Sequence, residues 1–213
     1  MNRVEIKKCS TPYNYDESYI AIDGKSIVMY LEEWIRAGKC KQLEGFNTML
    51  GMYPAWGREL EWEAERTFIS ELLDSSTALN VPILVCEDDM DLSCIVILAD
   101  IRKENNCVYW DRIGLLNHEK EDFTAEKKSG ILLTDSYTLE DWNKYGSSIA
   151  MTEVDSEEWS RWISENWHEE LLRRRRNYTM PYMQNKDNII WIENVTWCFD
   201  EKEYQKCVDW YRK

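Results

Sequence analysis

The sequence predicts an α+β fold in which an antiparallel sheet, with a central meander at residues 81–116, is packed by several amphipathic helices. Three β-rich runs separated by short polar segments occupy the middle of the chain. Apolar residues before and after these runs recur at helical spacing. With 44% hydrophobic residues, only 8 Gly and only 4 Pro, the composition excludes a disordered or collagenous chain.

The segment before the meander predicts one short strand and two helices. The strand is Tyr19–Ile22, and a helix begins near Ser26 after an Asp-Gly turn. Apolar residues at i, i+3, i+4, i+7 and i+8 form one face of this helix: Ile27, Tyr30, Leu31, Trp34 and Ile35. Residues 39–57 indicate an ordered loop with buried aromatic side chains. A second helix is favoured at Glu63–Asp74, although alternating residues near its start also fit a strand.

The three runs of the meander are Val81–Cys86, Ser93–Ile101 and Cys107–Leu116. Residues 94–99 are apolar at successive positions, which predicts a central strand covered on both faces. Two further segments are candidates to extend the same sheet, namely Tyr19–Ile22 and Asn188–Phe199.

The last third of the chain predicts the helices that cover the sheet. Residues Thr138–Asp141 and Asp155–Glu158 each resemble a helix start with a capping carboxylate. The second start is followed by an apolar stripe of Trp159, Trp162, Ile163, Trp167 and Leu171. Arg173–Arg176 would then lie at the carbonyl end of this helix, where the macrodipole favours cations; phosphate binding is the alternative. Asp200 is predicted to cap a terminal helix.

Length and charge limit the possible functions. A chain of 213 residues without Pro-rich or Gly-rich linkers predicts a single domain, 1–213, whose weakest internal boundary is the polar segment 118–129. The formal net charge of −14 disfavours binding to nucleic acid or to an anionic membrane. No apolar run approaches the ~18 residues of a membrane span, and the N-terminal residues lack a signal-peptide pattern, so a cytoplasmic location is expected.

The cysteines and the missing motifs exclude several common chemistries. Seven cysteines, an odd number without a CxxC pair, argue against a disulfide framework and a zinc knuckle, and favour buried free thiols. The two histidines belong to no catalytic triad pattern. Because no glycine-rich phosphate loop or HExxH motif occurs, the sequence predicts no cofactor and identifies no catalytic residue.

The strongest candidate site is an acidic turn at residues 87–91. Four carboxylates fall within five residues between the first two strands of the meander: Glu87, Asp88, Asp89 and Asp91. Three interpretations are open: a solvated hairpin loop, a surface that binds a protein partner, or a site for a divalent cation. The spacing differs from that of an EF-hand, because it lacks the central Gly and the Glu at the twelfth position.

Two further residues are candidates for the same partner-binding surface. Asp111 either enlarges the carboxylate patch or forms a cross-strand salt bridge. Trp56 lies in a loop beside Arg58, a composition typical of an exposed interface anchor, unless its side chain folds back onto the core.

Three segments together carry a resemblance to a known group of proteins. They are Trp56–Trp62, Pro82–Cys94 and Val108–Gly114, about a third of the chain. They resemble uncharacterised cytosolic bacterial proteins that are similar in character to the immunity proteins of polymorphic or contact-dependent toxin systems. The resemblance implies an acidic protein that binds and neutralises a basic toxin domain by occlusion, and it implies no catalytic residue. The alternative is a hydrolase or nuclease that holds Mg²⁺ or Mn²⁺ with the same carboxylates.

Overall fold

Two antiparallel sheets, with helices packed on them, form the fold seen in the computed structural model. The structure describes residues 1–46, 48–76, 79–132, 137–149 and 156–213. The predicted α+β class is confirmed. Within these residues no helix is long and apolar enough to cross a membrane.

The smaller sheet has the order β1-β2-β3 and lies at the N-terminus. Its strands are β1 (Val4–Ser10), β2 (Asp16–Ile22) and β3 (Lys25–Ser26). The segment Tyr19–Ile22 was expected to extend the main sheet, and this expectation is wrong, because β2 pairs with β1 along its whole length. Asp23 and Gly24 both have positive φ, 51° and 84°, as a tight hairpin turn requires.

The first two helices begin and end close to the predicted residues. Helix α1 is Ile27–Arg36, and Gly38 follows it with a φ of 75°. A loop with the short strand β4 (Tyr53–Pro54) then leads to α2 (Glu63–Asp74). The helical interpretation of residues 63–74 is therefore confirmed.

The larger sheet has the order β4-β5-β6-β7-β8. Its long strands are β5 (Leu79–Val85), β6 (Val96–Glu104), β7 (Cys107–Leu116) and β8 (Ile189–Asp200). The predicted meander and the addition of the C-terminal strand are both confirmed. Strand β6 is central, and its residues 96–99 are fully buried, as their continuous apolar character predicted.

The remaining helices follow β7 and β8. Between these strands lie α3 (Phe123–Lys128), α4 (Leu139–Ile149), α5 (Glu157–Glu165), α6 (Trp167–Arg174) and α7 (Met180–Gln184); α8 (Glu201–Arg212) ends the chain. The Ser156 side chain caps α5, and Asp155 lies outside the described residues. Asp200 caps α8 as predicted.

One expectation about the C-terminal helices is wrong. The arginine run 173–176 does not lie at the carbonyl end of a finished helix, because α6 continues through a π-helical turn, Arg175–Thr179, into α7. The backbone carbonyls of the run are therefore within a continuous helical segment, and the macrodipole does not explain the four cations. Their carboxylate partners are described below.

Candidate functional site

The acidic turn, Glu87–Asp91, connects β5 to β6 and is held at both ends by backbone hydrogen bonds. Cys86 N–H donates to the carbonyl of Ile95 over 3.0 Å, and Glu61 N–H donates to that of Met90 over 2.9 Å. Met90 has a φ of 49°, which places a left-handed residue inside the turn. The turn thus has a defined backbone even though Asp88 and Asp89 are exposed.

Three of the four carboxylates of the turn have different partners, and the fourth, Asp88, is exposed. The Tyr13 hydroxyl donates to Glu87, and Asp91 accepts from the hydroxyl and backbone N–H of Ser93 over 2.6 and 2.8 Å. Asp89 accepts from the Cys86 thiol over 3.6 Å. Among the described residues, no three of these carboxylates bring oxygen atoms within 4.8 Å of one another. A hard cation such as Mg²⁺, which takes several oxygen ligands, therefore lacks a carboxylate cage here.

An apolar cavity of about 160 Å³ opens beside the acidic turn. Glu87 and Asp88 supply its charged side, and its apolar lining includes Tyr13, Phe46, Met49, Leu50, Met52 and Ile95. Tyr13 is 52% exposed and Phe46 is 48% exposed, so both aromatic side chains are accessible to a partner. The hydrogen bond to Glu87 and the charge of that carboxylate raise the pKa of Tyr13. The phenol therefore stays neutral at physiological pH.

Gly51 lies between two residues that line the cavity, Leu50 and Met52, and packs closely against the acidic turn. Its φ is 119°, and a Cβ at this position would lie 2.5 Å from Glu87 Oε2 and 2.7 Å from the Tyr13 ring. The Gly51 N–H donates to the buried Tyr19 hydroxyl over 2.9 Å. Only glycine allows both this backbone angle and this close approach.

Gly51→Ala is expected to lower the free energy of unfolding by about 1–3 kcal/mol, because the new methyl group meets both Glu87 and Tyr13 at a strained φ. Gly45→Ala is the matched control, since a Cβ at Gly45 meets nothing within 4 Å and its φ is not positive. Urea denaturation of both variants checks the prediction. Equal stability of the two variants would contradict the proposed packing.

A buried ion pair between Glu65 and Arg175 contacts the residue that follows the acidic turn. Glu65, on α2, is fully buried and accepts from Arg175 Nη2 over 2.7 Å and from the backbone N–H of Leu92 over 3.3 Å. Burial raises the pKa of Glu65, although the positive charge of Arg175 opposes this effect. Residue 92 follows the acidic turn directly, so the pair links the turn to α2 and to the π-helical turn.

Each arginine of the run 173–176 is paired with a carboxylate on another turn or element. Arg173 contacts Asp141 and Arg174 contacts Glu170, over 2.8 and 2.7 Å. Arg175 contacts Glu65, and Arg176 donates from Nε to Glu71 over 2.9 Å. Because these guanidinium groups already bind carboxylates, the geometry gives no support to the phosphate-binding alternative. Arg173, Arg175 and Arg176 each connect to another helix, whereas the pair of Arg174 with Glu170 lies within α6.

Trp56 is not an exposed anchor, so the expectation that it binds a partner in that way is wrong. Its side chain is only 2% exposed, and its Nε1 donates to the carbonyl of Pro82 over 3.0 Å. The ring packs edge-on against Trp110, Tyr204 and Tyr211. Burial satisfies both the apolar ring and its one polar group, which is why the loop folds inward.

Asp111 forms the cross-strand salt bridge that was one of its two interpretations. It accepts from Arg102 Nε over 2.8 Å. Its neighbour Arg112 pairs with Asp100 over 2.5 Å. The register places residues 100–102 opposite this part of β7, whereas the acidic turn precedes Val96 at the other end of β6. Asp111 therefore does not extend the carboxylate patch of residues 87–91.

Four residues that the sequence did not predict as part of the site lie at the acidic turn in the structure. Tyr13 and Phe46 come from distant loops, and no local pattern in the sequence indicates their position. Cys86 and Cys94 flank the turn, and their Sγ atoms lie near Asp89. Their positions, one residue before Glu87 and three residues after Asp91, were the available signal in the sequence. Burial, together with the neighbouring Cys86 thiol, raises the pKa of Cys94.

The chain was also compared with protein-family models, with curated proteins and with solved structures, and none of the three comparisons gave a match.

Proposed function

We propose that this chain is a cytosolic immunity-type protein that binds a basic toxin domain through the acidic turn and occludes it. The observation that carries the proposal is the exposed pair Asp88 and Asp89 beside an accessible apolar cavity. Charge around a partly apolar centre is the usual composition of a specific protein interface. The resemblance to immunity proteins, which includes the whole turn, agrees with this chemistry.

Electrostatic attraction supplies the first part of the mechanism. The net charge of −14 attracts a cationic partner from a distance, and the exposed carboxylates concentrate negative potential at the turn. Such complementarity increases the association rate and disfavours acidic competitors. The dependence of binding on salt follows directly, because exposed charges are screened within about 10 Å at 0.1 M ionic strength.

The apolar cavity beside the acidic turn provides the second part of the proposed binding mechanism. Its methionine, leucine and aromatic lining accepts an apolar side chain, and Glu87 and Asp88 lie at its charged side. An arginine or lysine fits both features, because its methylene stem is apolar and its head is cationic. We therefore propose that a basic residue of the partner inserts here, while the turn covers neighbouring cations of the toxin.

The alternative of a Mg²⁺- or Mn²⁺-dependent hydrolase has less support. It requires carboxylates that converge on one cation, and those of the acidic turn diverge toward Tyr13, Ser93 and the Cys86 thiol. A protein-binding surface instead needs exposed, separated charges, which is the arrangement of Asp88 and Asp89.

Phe46→Ala is expected to weaken binding of the partner by about 10-fold or more, because an accessible aromatic at the centre of an interface contributes more than 1 kcal/mol. Phe123→Ala is the control, since Phe123 is 66% exposed and does not line the cavity. Isothermal titration of both variants against the purified partner measures the difference. Equal affinities would place the cavity outside the interface.

The test of the proposed function is affinity purification of the tagged full chain from its own cells at low and moderate salt. The expected result is a stoichiometric basic protein that is lost as salt increases and that binds the isolated chain again after purification. Recovery of that protein with an Asp88→Lys chain as efficiently as with the unchanged chain would contradict the proposal, as would the absence of any stoichiometric protein while the toxin is expressed.

A further inference from the structure

Three potential metal ligands lie close together at the acidic turn, one within it and two beside it. The Sγ atoms of Cys86 and Cys94 and a carboxylate oxygen of Asp89 all lie within 4.8 Å of one another. The distance from Cys86 Sγ to Asp89 Oδ2 is 3.6 Å. Within the part of the chain that the structure describes, this is the one group of three Cys, His, Asp or Glu residues with such spacing.

We propose that Cys86, Asp89 and Cys94 bind a thiophilic divalent cation of the zinc type, with a water molecule as the fourth ligand. Bond lengths of about 2.3 Å to sulfur and about 2.0 Å to oxygen place tetrahedral ligand atoms roughly 3.5–3.8 Å apart. The distance between Cys86 and Asp89 already has this value, and the third ligand atom needs only a small side-chain adjustment.

The two sulfur atoms and one oxygen atom of this group determine which class of cation it can bind. Thiolates prefer zinc and other soft or borderline ions, whereas Mg²⁺ and Ca²⁺ require oxygen ligands. Two thiolates and one carboxylate together carry three negative charges, and the dication neutralises two of them. Binding displaces the thiol protons, because a thiolate and not a thiol is the ligand.

The site is accessible without opening the fold. Asp89 is exposed, and both thiols line the cavity beside the turn. Glu87 and Asp88, on the same turn, increase the local concentration of cations. Cys86 directly follows β5 and Cys94 lies two residues before β6, so a bound cation would join the two ends of the acidic turn. Because both thiols also line the cavity to which the proposed function assigns a basic side chain of the partner, the experiment uses the cation without any protein partner.

The experiment is equilibrium dialysis of the full, reduced chain against Zn²⁺, with the metal measured by elemental analysis. Asp89→Asn removes one ligand at an exposed position, and its fold is checked by circular dichroism. Cys94→Ser removes a second ligand. The matched control is Cys107→Ser with Cys198→Ser, because these two thiols also contact one another but have no third ligand atom in the described residues.

The expected result is one zinc per chain for the unchanged protein and for the Cys107/Cys198 control. Asp89→Asn should weaken binding by about 10-fold or more and Cys94→Ser by about 100-fold or more. Co²⁺ should give thiolate charge-transfer absorption with the unchanged chain and with the Cys107/Cys198 control, and this absorption should be weaker or absent in Cys94→Ser. Zinc content that is the same in all variants, or absent from the unchanged chain, would overturn the proposal.

Discussion

Glu170→Ala is expected to lower the free energy of unfolding by about 3–5 kcal/mol. Glu170 is fully buried on α6, and both of its oxygens are used. Arg174 donates to Oε1 from Nε over 2.8 Å and from Nη2 over 2.7 Å, and the backbone N–H groups of Ile131 and Leu132 donate to Oε2 over 2.7 and 3.0 Å. Removal of the carboxylate leaves a guanidinium and two amides without their acceptor.

Glu71→Ala provides the matched control, because it also removes a carboxylate from an arginine of the run, Arg176. This pair is 43% and 49% exposed, so water replaces the lost contact and the expected cost is at most about 1 kcal/mol. Guanidinium denaturation with fitted m-values measures both variants. Similar losses of stability would contradict the conclusion that the buried ion pair of Glu170 contributes more to stability than the exposed pair of Glu71.

Asp88→Lys is expected to slow association with the basic partner by about 10-fold at low salt and to reduce the salt dependence of the rate. Asp88 is exposed and does not belong to the group of Cys86, Asp89 and Cys94, so this change keeps all three ligands of the proposed cation site. Stopped-flow fluorescence or surface plasmon resonance at several salt concentrations gives the rate.

Glu104→Lys controls for the change in net charge. It alters the total charge by the same amount, but Glu104 lies at the other end of β6, about 27 Å along the strand from its first residue. Its association rate should remain within about twofold of that of the unchanged chain. Equal slowing by the two variants would show that total charge, and not the acidic turn, controls the encounter.

Local sequence patterns predicted much of the fold because those patterns reflect burial. Helix α2 ends at the predicted residues because its apolar stripe matches the helical period, and β6 is central because residues 96–99 have no polar face. Strand β1 was missed because Val4 is its only buried residue and the alternation of apolar and polar residues stops at Lys7 and Lys8. The sheet to which β2 belongs depends on this pairing, and no local pattern contains that information.

The candidate site could be predicted only in part. The acidic turn is contiguous in the sequence, and the exposure of Asp88 and Asp89 follows from their charge. Phe46 and Tyr13 reach the turn through tertiary packing around Gly51, which composition does not indicate. The burial of Trp56 could not be predicted, because the composition of its loop is the same whether the ring points to solvent or to the core. In the core, the carbonyl of Pro82 accepts the hydrogen bond of the indole N–H.

The arginine run, residues 173–176, shows that a local sequence pattern can also give a wrong prediction. Four consecutive cations after a helical stripe are typical of a helix C-terminus, so a local interpretation was available and was wrong. The actual partners, Glu65 and Glu71 on α2, Asp141 on α4 and Glu170 on α6, are mostly remote in sequence. A run of arginines that forms ion pairs with carboxylates on distant helices can be recognised only from the three-dimensional structure.

The most direct test of the proposed immunity function is growth rescue. The partner captured by affinity purification is expressed from an inducible promoter in cells that lack this chain. The unchanged chain, Asp88→Lys or Glu104→Lys is produced alongside it at equal levels. We predict that the partner alone arrests growth, that the unchanged chain and Glu104→Lys restore it, and that Asp88→Lys restores it less. Continued arrest in the presence of the unchanged chain, or normal growth with the partner alone, would contradict the account.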